Sequence, residues 1–400
     1  MTREQPFLAF APWLVVLLLQ VSVAGCLSPI TLERSVVAYD HAVTNALTEQ
    51  LLLNIARAHH HHAIHFTAVS NIAATFDFRV NAGATPPLGG LTGGGDLSPI
   101  FGASIAENPT ISIVPIEGED FTKRLLTPFQ ETKLTLLLRQ GVDMDLLLRL
   151  MAGELRLPKE GGETVYYNRP SVKAGYTVFR QVVLHLSSLQ DRNLLYVEPL
   201  VYDKTWEISM ALVSGQDFEA LEKQYEIMAD TPREKYILKK RVLGRIVITN
   251  YDPEKLTNEE RIAVNQKADR WPPNDLTVDI RPEFPGGEYP IQGNFRLRSF
   301  HSILNFLGRS IHQEPEYDVP QDPRTPPVLE NPIRTLDIRE TASLPSDSPL
   351  AVKYNGHYYY VAEGPEDDWN REAFRLLYQL FQMTVSEVSR VGAPSITIAK

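Results

Sequence analysis

Hydrophobic positions recur at helical spacing along residues 31–58. Pro29 lies just ahead, where a helix can begin, and the apolar positions are Val36, Val37, Val43, Leu47, Leu51, Leu52 and Ile55. Side chains spaced three or four residues apart share one face of a helix. The pattern therefore predicts an amphipathic helix.

The pattern changes to strict alternation at residues 74–81, where ATFDFRVN predicts a strand with one exposed face. The glycine-rich residues 83–99 follow and predict an irregular loop. Residues 100–116 form a second extended segment, interrupted near Asn108-Pro109. Together these elements predict a long hairpin.

The leucine-dense residues 117–155 return to helical spacing. The pattern predicts two helices interrupted by Pro128 and Gly141, and Asp143 is placed to cap the second. The number of leucines in this region indicates burial on more than one helix face.

The last third of the chain combines an irregular segment with regular elements. Residues 312–349 are rich in proline and lack hydrophobic periodicity, which predicts a linker or surface excursion. Asn355-Gly356 predicts a hairpin turn, followed by a helix and a short final strand.

These elements predict an α+β fold, with mixed helices, antiparallel hairpins and a proline-rich surface excursion in the C-terminal third. The expected divisions are a signal peptide at 1–25, a helix, hairpin and helical region at 26–160, an α+β region at 161–311, the excursion at 312–349, and a C-terminal hairpin, helix and strand at 350–400.

Composition excludes one class of partner. The 400 residues are 43% hydrophobic, enough for a sizeable core. The formal net charge is −10 and lysine and arginine form no cluster, so no nucleic-acid partner is expected.

The N-terminus has the layout of a secretory signal. A short polar start containing Arg3 precedes an apolar run of residues 7–19, and small residues lead to Val23-Ala24-Gly25-Cys26. The run is too short to span a bilayer, which takes about 20 residues. The ending VAGC resembles the lipobox of bacterial lipoproteins and marks cleavage between Gly25 and Cys26.

That resemblance implies lipidation of Cys26, the only cysteine in the chain. Its thiol would carry a diacylglyceryl group, and several acyl chains, palmitate among them, would anchor the protein in membrane lipid. Leu27 stands where an aspartate would indicate inner-membrane retention. The expected location is the periplasmic face of the outer membrane of a Gram-negative bacterium.

Five of the ten histidines fall within seven positions, in the stretch HHHHAIH of residues 59–65. Zinc sites need ligands that converge, whereas consecutive histidines point in different directions. Only His61 and His65 could share a helical face, so they are the candidate metal ligands. The alternative is an exposed polar joint between a helix and a strand, and the sequence leaves metal binding open.

Motifs for catalysis are missing from the sequence. It contains no Gly-x-Ser-x-Gly, and Cys26 would be blocked by lipid. The acidic stretches at 117–120 and 366–368 precede predicted helices, where negative charge is favourable. We therefore predict no catalytic residue and no cofactor.

Several segments resemble a family of uncharacterised bacterial lipoproteins. These are EQLLLNIAR, NPTISIVPIEGEDFTKRLLTP, RLRSFHSILNFLG and the ending YYYVAE…FRLLYQLFQM…PSITIAK. The family has no established activity, so the resemblance implies a location and no catalytic residues.

Three functions remain as hypotheses. The first is a non-enzymatic, lipid-anchored structural or assembly component of the envelope with protein partners. The second is a subunit of a homo-oligomeric outer-membrane pore or secretion complex, with Phe76 and Phe78 of the 66–116 hairpin facing lipid. The third is an envelope hydrolase whose site is scattered along the chain.

Overall fold

The computed structural model describes residues 11–85, 98–346, 348–362 and 367–385, with side chains left out for residues 11–32, 70–109 and 367. The described chain divides into two compact units. The first contains residues up to Leu51 together with His65–Ile116. The second contains Leu52–Ile64 and the described residues from Glu117 onward.

The first unit consists of the larger part of a long helix and of a hairpin. Helix α1 spans Ala11–His59 and includes the predicted helix at 31–58; its residues from Leu52 onward belong to the second unit. Strand β1, Phe66–Thr85, pairs antiparallel with strand β2, Ser98–Ile116, so the predicted hairpin is confirmed. Residues 86–97 of the predicted loop lie outside the described part of the chain.

Strand β2 continues through the expected interruption near Asn108. Pro109 pairs in register with Ala74, and β1 carries an irregularity between Val69 and Asn71. A proline is tolerated in an edge strand, because its missing N–H can fall on the side without a partner strand. Each strand of this hairpin has such a side.

The second unit begins with three short helices where the sequence predicted two. They are α2 (Glu119–Leu126), α3 (Glu131–Leu138) and α4 (Met144–Met151). The chain turns at Gly141 with a φ of 82°, which glycine adopts without strain. The carboxylate of Asp143 accepts hydrogen bonds from the N–H groups of Asp145 and Leu146, so the predicted cap is confirmed.

Seven strands form the central sheet of this unit, and four helices lie between or after them in the chain. The elements are β3 (Ala152–Lys159), β4 (Gly162–Tyr167), α5 (Lys173–Asp191), β5 (Tyr196–Ser209), α6 (Gly215–Glu222), β6 (Glu226–Asp230), β7 (Lys235–Thr249), α7 (Asn258–Ala268), β8 (Asp275–Ile280), β9 (Ile291–Leu297) and α8 (Phe300–Ser310). The strand order is β4-β3-β9-β8-β7-β5, with β6 pairing to β7. All pairs are antiparallel except β7 with β8.

The last elements are β10 (Ile338–Thr341), β11 (Ala351–Tyr354), β12 (His357–Val361) and α9 (Asp367–Gln382). These three strands form a small antiparallel sheet in the order β10-β12-β11. Asn355 and Gly356 have φ values of 48° and 88°, as a tight hairpin turn requires. The predicted C-terminal hairpin and helix are thus confirmed, while the predicted final strand at 394–400 lies outside the described residues.

The core of the second unit is built on helices α4, α5, α8 and α9. Every residue of α4 is buried, as the leucine density indicated. Phe179 of α5 meets Phe295 of β9 edge to face at 5.8 Å, which joins helix and sheet. The fold is therefore α+β, as predicted.

The structure divides the chain differently from the predicted boundaries. The boundary at 160/161 falls in the turn between β3 and β4, which pair with each other. The segment 312–349, predicted as a linker or surface excursion, lies within the second unit. Several of its side chains are buried, namely Glu316, Val319, Thr325, Thr335 and Leu336. Buried polar side chains help to hold this segment in place, although its sequence shows little apolar periodicity.

Candidate functional site

The predicted lipidation residue lies in the N-terminal half of α1. Gly25 and Cys26 have helical backbones, and their side chains are outside the described set. Among the described residues, no helix is both long and apolar enough to cross a membrane.

The hairpin of the first unit offers a surface for association. Within the described part of the chain, β1 and β2 pair only with each other. Each strand has about 20 residues, which corresponds to roughly 60 Å of extended backbone. One edge of each strand is left without a partner strand, and such edges readily pair with another chain.

Apolar side chains are exposed near the base of this hairpin. Ile111 and Ile113 of β2 are 49% and 66% exposed, and they share one face because they are two positions apart. The other strand is fixed to the helix nearby, since Thr67 donates its N–H to Oε1 of Gln50 at 2.7 Å. This hairpin base is thus held in position while its isoleucines face solvent.

In the second unit, the histidine run lies at a crossing of two helices. Gly308 of α8 allows α1 and α8 to approach closely, because an added Cβ there would lie 2.7 Å from the backbone nitrogen of His59. The Nδ1 atom of His59 is 2.9 Å from the Gly308 carbonyl oxygen, to which an Nδ1–H group donates a hydrogen bond. That contact directs Nε2 toward Glu340, 3.7 Å away.

The carboxylate of Glu340 on β10 lies close to three histidine side chains, and we call this group the Glu340 cluster. Besides His59, its carboxylate meets His312 Nε2 at 3.1 Å and His357 Nδ1 at 3.2 Å. Tyr359 of the neighbouring strand β12 pairs in register with Glu340 and shares a hydrogen bond with it. The cluster therefore joins the end of α1, the end of α8 and the small sheet.

Two further histidines of the run bond to tyrosines. His60 Nε2 lies 2.7 Å from the Tyr359 hydroxyl, and His62 Nδ1 lies 2.5 Å from the Tyr354 hydroxyl. Burial lowers the pKa of His60, and the nearby His59 adds to the effect. Burial likewise raises the pKa of Tyr359, and the Glu340 carboxylate raises it further. Both pKa shifts favour the neutral forms of these two side chains.

The two candidate metal ligands belong to different units of the structure. His61 follows α1 with a φ of 58° and approaches Gln313 in the second unit, whereas His65 belongs to the first unit. Among the described residues, no three histidine, cysteine, aspartate or glutamate side chains are arranged to hold a metal ion. The run does join a helix to a strand, as expected, but His59 and His60 are partly buried and bonded.

A second polar cluster, missed from the sequence, fixes the proline-rich segment. Arg149 of α4 is fully buried and donates to Glu316 at 3.0 Å and to Thr335 at 2.9 Å. Burial alone would raise the pKa of Glu316, but the Arg149 guanidinium and the hydrogen bonds from Thr335 hold that pKa below its usual range.

The same network continues to helix α5. Asp145 on α4 forms an ion pair with Arg180, which also donates to Asn331 at 3.0 Å. A buried arginine and carboxylate are stable together only when each finds a partner, so the network holds residues 316–335 against α4 and α5.

Comparisons of the chain with protein-family models, with curated proteins and with solved structures found no match.

Proposed function

We propose that the protein is a lipid-anchored component of the bacterial envelope. Cys26 would carry the lipid after removal of residues 1–25, and the folded part would lie at the periplasmic face of the outer membrane. The support is the order of polar start, apolar run and small residues that ends in VAGC.

Within that location we propose a structural or assembly role with protein partners, and not catalysis. The observation that carries it is the hairpin, whose two strands have no further partner strand among the described residues. A two-stranded hairpin is only marginally stable alone, so a surface that covers its edges would stabilise it.

A pore or secretion complex is the second candidate, and strand length favours it. A strand that spans a membrane takes about 9 to 11 residues. The strands β1 and β2 have 20 and 19 residues, which is more than enough. In this version the hairpins of several copies would join edge to edge.

Fractionation of cells tests the anchor. The proposal predicts that the wild-type chain sediments with outer membranes, while Cys26→Ala is lost from them. Ser28→Ala, a neighbouring change that keeps the thiol, is the control and should sediment like the wild type. Equal membrane association of all three proteins would contradict the proposal.

Crosslinking tests the association surface. Ile113→Cys places a thiol on the exposed base of the hairpin, and Leu329→Cys, where the leucine is 83% exposed in the second unit, is the matched control. Adducts at multiples of the chain mass for Ile113→Cys alone would support a complex of copies. Adducts of other masses would support a different protein partner, and monomers only would contradict both candidates.

A further inference from the structure

A cleft in the second unit is lined by residues of strands β5, β6 and β7 and of helix α7. Strand β6 pairs with residues 235–239 of β7, and β8 pairs with residues 247–249. Strand β5 pairs along the other edge of β7, so β6 and β8 share one edge. On that edge, residues 240–246 have no partner strand among the described residues. Lys240 and Arg241 of this stretch line the cleft, which has a volume of about 790 Å³ and reaches helix α7.

Positive charge dominates the lining of this cleft. Five cationic side chains face three acidic ones: Lys223, Lys239, Lys240, Arg241 and Arg261 against Asp203, Glu222 and Glu226. The whole chain has a net charge of −10, so the excess of cations is a local feature. A concave surface with one sign of charge attracts ions of the opposite sign.

Some of these charges already have partners. The Nζ atom of Lys239 lies 3.1 Å from the Asp203 carboxylate and 3.9 Å from that of Glu226. The ammonium of Lys240 lies 5.4 Å from the centre of the Tyr225 ring. These contacts hold the two lysines on the walls of the cleft. The other three cations of the lining are Lys223, Arg241 and Arg261.

Three cations of the cleft have no such partner in the described part of the chain. Arg241, Arg261 and Lys223 form neither an ion pair nor a hydrogen bond through their side chains there. The Nε atom of Arg261 is buried without any hydrogen-bond partner. A buried N–H group without an acceptor is costly, and no described part of the chain offsets the burial of this atom.

We propose that this cleft binds a phosphate-bearing anion, with Arg241 and Arg261 as its principal ligands. A guanidinium presents parallel N–H groups that match the oxygens of a phosphate. The excess of two positive charges in the lining equals the charge of a phosphate dianion. The phosphate can come from a soluble compound or from a lipid headgroup, since both present anionic non-bridging phosphate oxygens.

Binding measurements on the full-length protein in a neutral detergent test this site. In one arm, inorganic phosphate is titrated calorimetrically into the protein. In the other, the micelles contain either phosphatidylglycerol or phosphatidylcholine, and binding is read as a shift in thermal unfolding. The variants are Arg241→Gln and Arg261→Gln, each of which removes one unpartnered charge.

Arg270→Gln is the matched control, because Arg270 follows α7 and does not line the cleft. We expect each cleft variant to weaken binding by about tenfold or more, as loss of a charge-assisted hydrogen bond does. Binding of phosphate alone would support a soluble ligand, and a response to phosphatidylglycerol alone would support a lipid headgroup. No binding in either arm, or equal weakening by Arg270→Gln, would overturn the proposal.

Discussion

Replacing Asp143 by asparagine should stabilise the protein near neutral pH. The Asp143 carboxylate caps helix α4, and its two backbone hydrogen bonds favour the charged form. Burial and the neighbouring Asp145 outweigh those bonds and raise the pKa of Asp143 to about 6. Asparagine can accept the same two hydrogen bonds without a charge.

The magnitude follows from the difference in pKa between the folded and unfolded states. The pKa of Asp143 rises from 3.8 to about 6, and one pKa unit corresponds to about 1.4 kcal/mol. The folded state therefore binds this proton more tightly, and ionisation at neutral pH costs up to about 3 kcal/mol of stability. That cost is fully present above pH 6 and disappears as the pH falls through 3.8.

Urea unfolding followed by tryptophan fluorescence measures the effect, since Trp206, Trp271 and Trp369 all belong to the second unit. We expect Asp143→Asn to gain about 1–3 kcal/mol at pH 7.5 and almost nothing at pH 4. Asp143→Ala, which also loses the cap, should gain about 1 kcal/mol less. A gain that is the same at both pH values, or a loss at pH 7.5, would refute this reasoning.

Three other predictions use the same unfolding assay. Glu316→Gln should cost about 3–5 kcal/mol because it removes the closest carboxylate from buried Arg149, and an unchanged urea midpoint would contradict this. Gly308→Ala should cost about 1–3 kcal/mol through backbone contact, whereas Gly215→Ala, which has open space around it, should cost nothing. Because the pKa of His60 is lowered in the folded state, the free energy of unfolding should fall as the pH drops below 6.5. His60→Gln should weaken that pH dependence, and a variant with the same pH profile as the wild type would contradict this prediction.

Local signals were sufficient to predict the hairpins and the helix cap. The turn at Asn355-Gly356 depends on these two adjacent residues. The helix cap at Asp143 depends only on the three residues that follow it in the chain. Strand alternation at 74–81 likewise needs only its own residues. Such elements are encoded over short stretches, and the structure contains each of them.

The Glu340 cluster could not be predicted in that way. His59 meets a carbonyl 249 residues later, and His60 meets a tyrosine 299 residues later. Glu316 and Arg149 are separated by 167 positions. Nothing local distinguishes these side chains from solvated ones, and the proline-rich sequence around Glu316 suggested an exposed segment. A buried ion pair holds that segment where hydrophobic periodicity is absent.

The cleft beside β7 was also beyond sequence analysis. Its cations come from β7, from α7 and from the residue after α6, and they are interspersed with acidic residues along the chain. The pairing of β5 and β6 with β7 and the position of α7 bring them together. A charge count along the sequence therefore missed a locally positive surface.

Mass spectrometry of the mature N-terminal peptide tests the central proposal most directly. The account predicts a first residue of Cys26 that carries a diacylglyceryl group on its sulfur. A peptide that still contains residues 1–25, or a Cys26 with a free thiol, would contradict it.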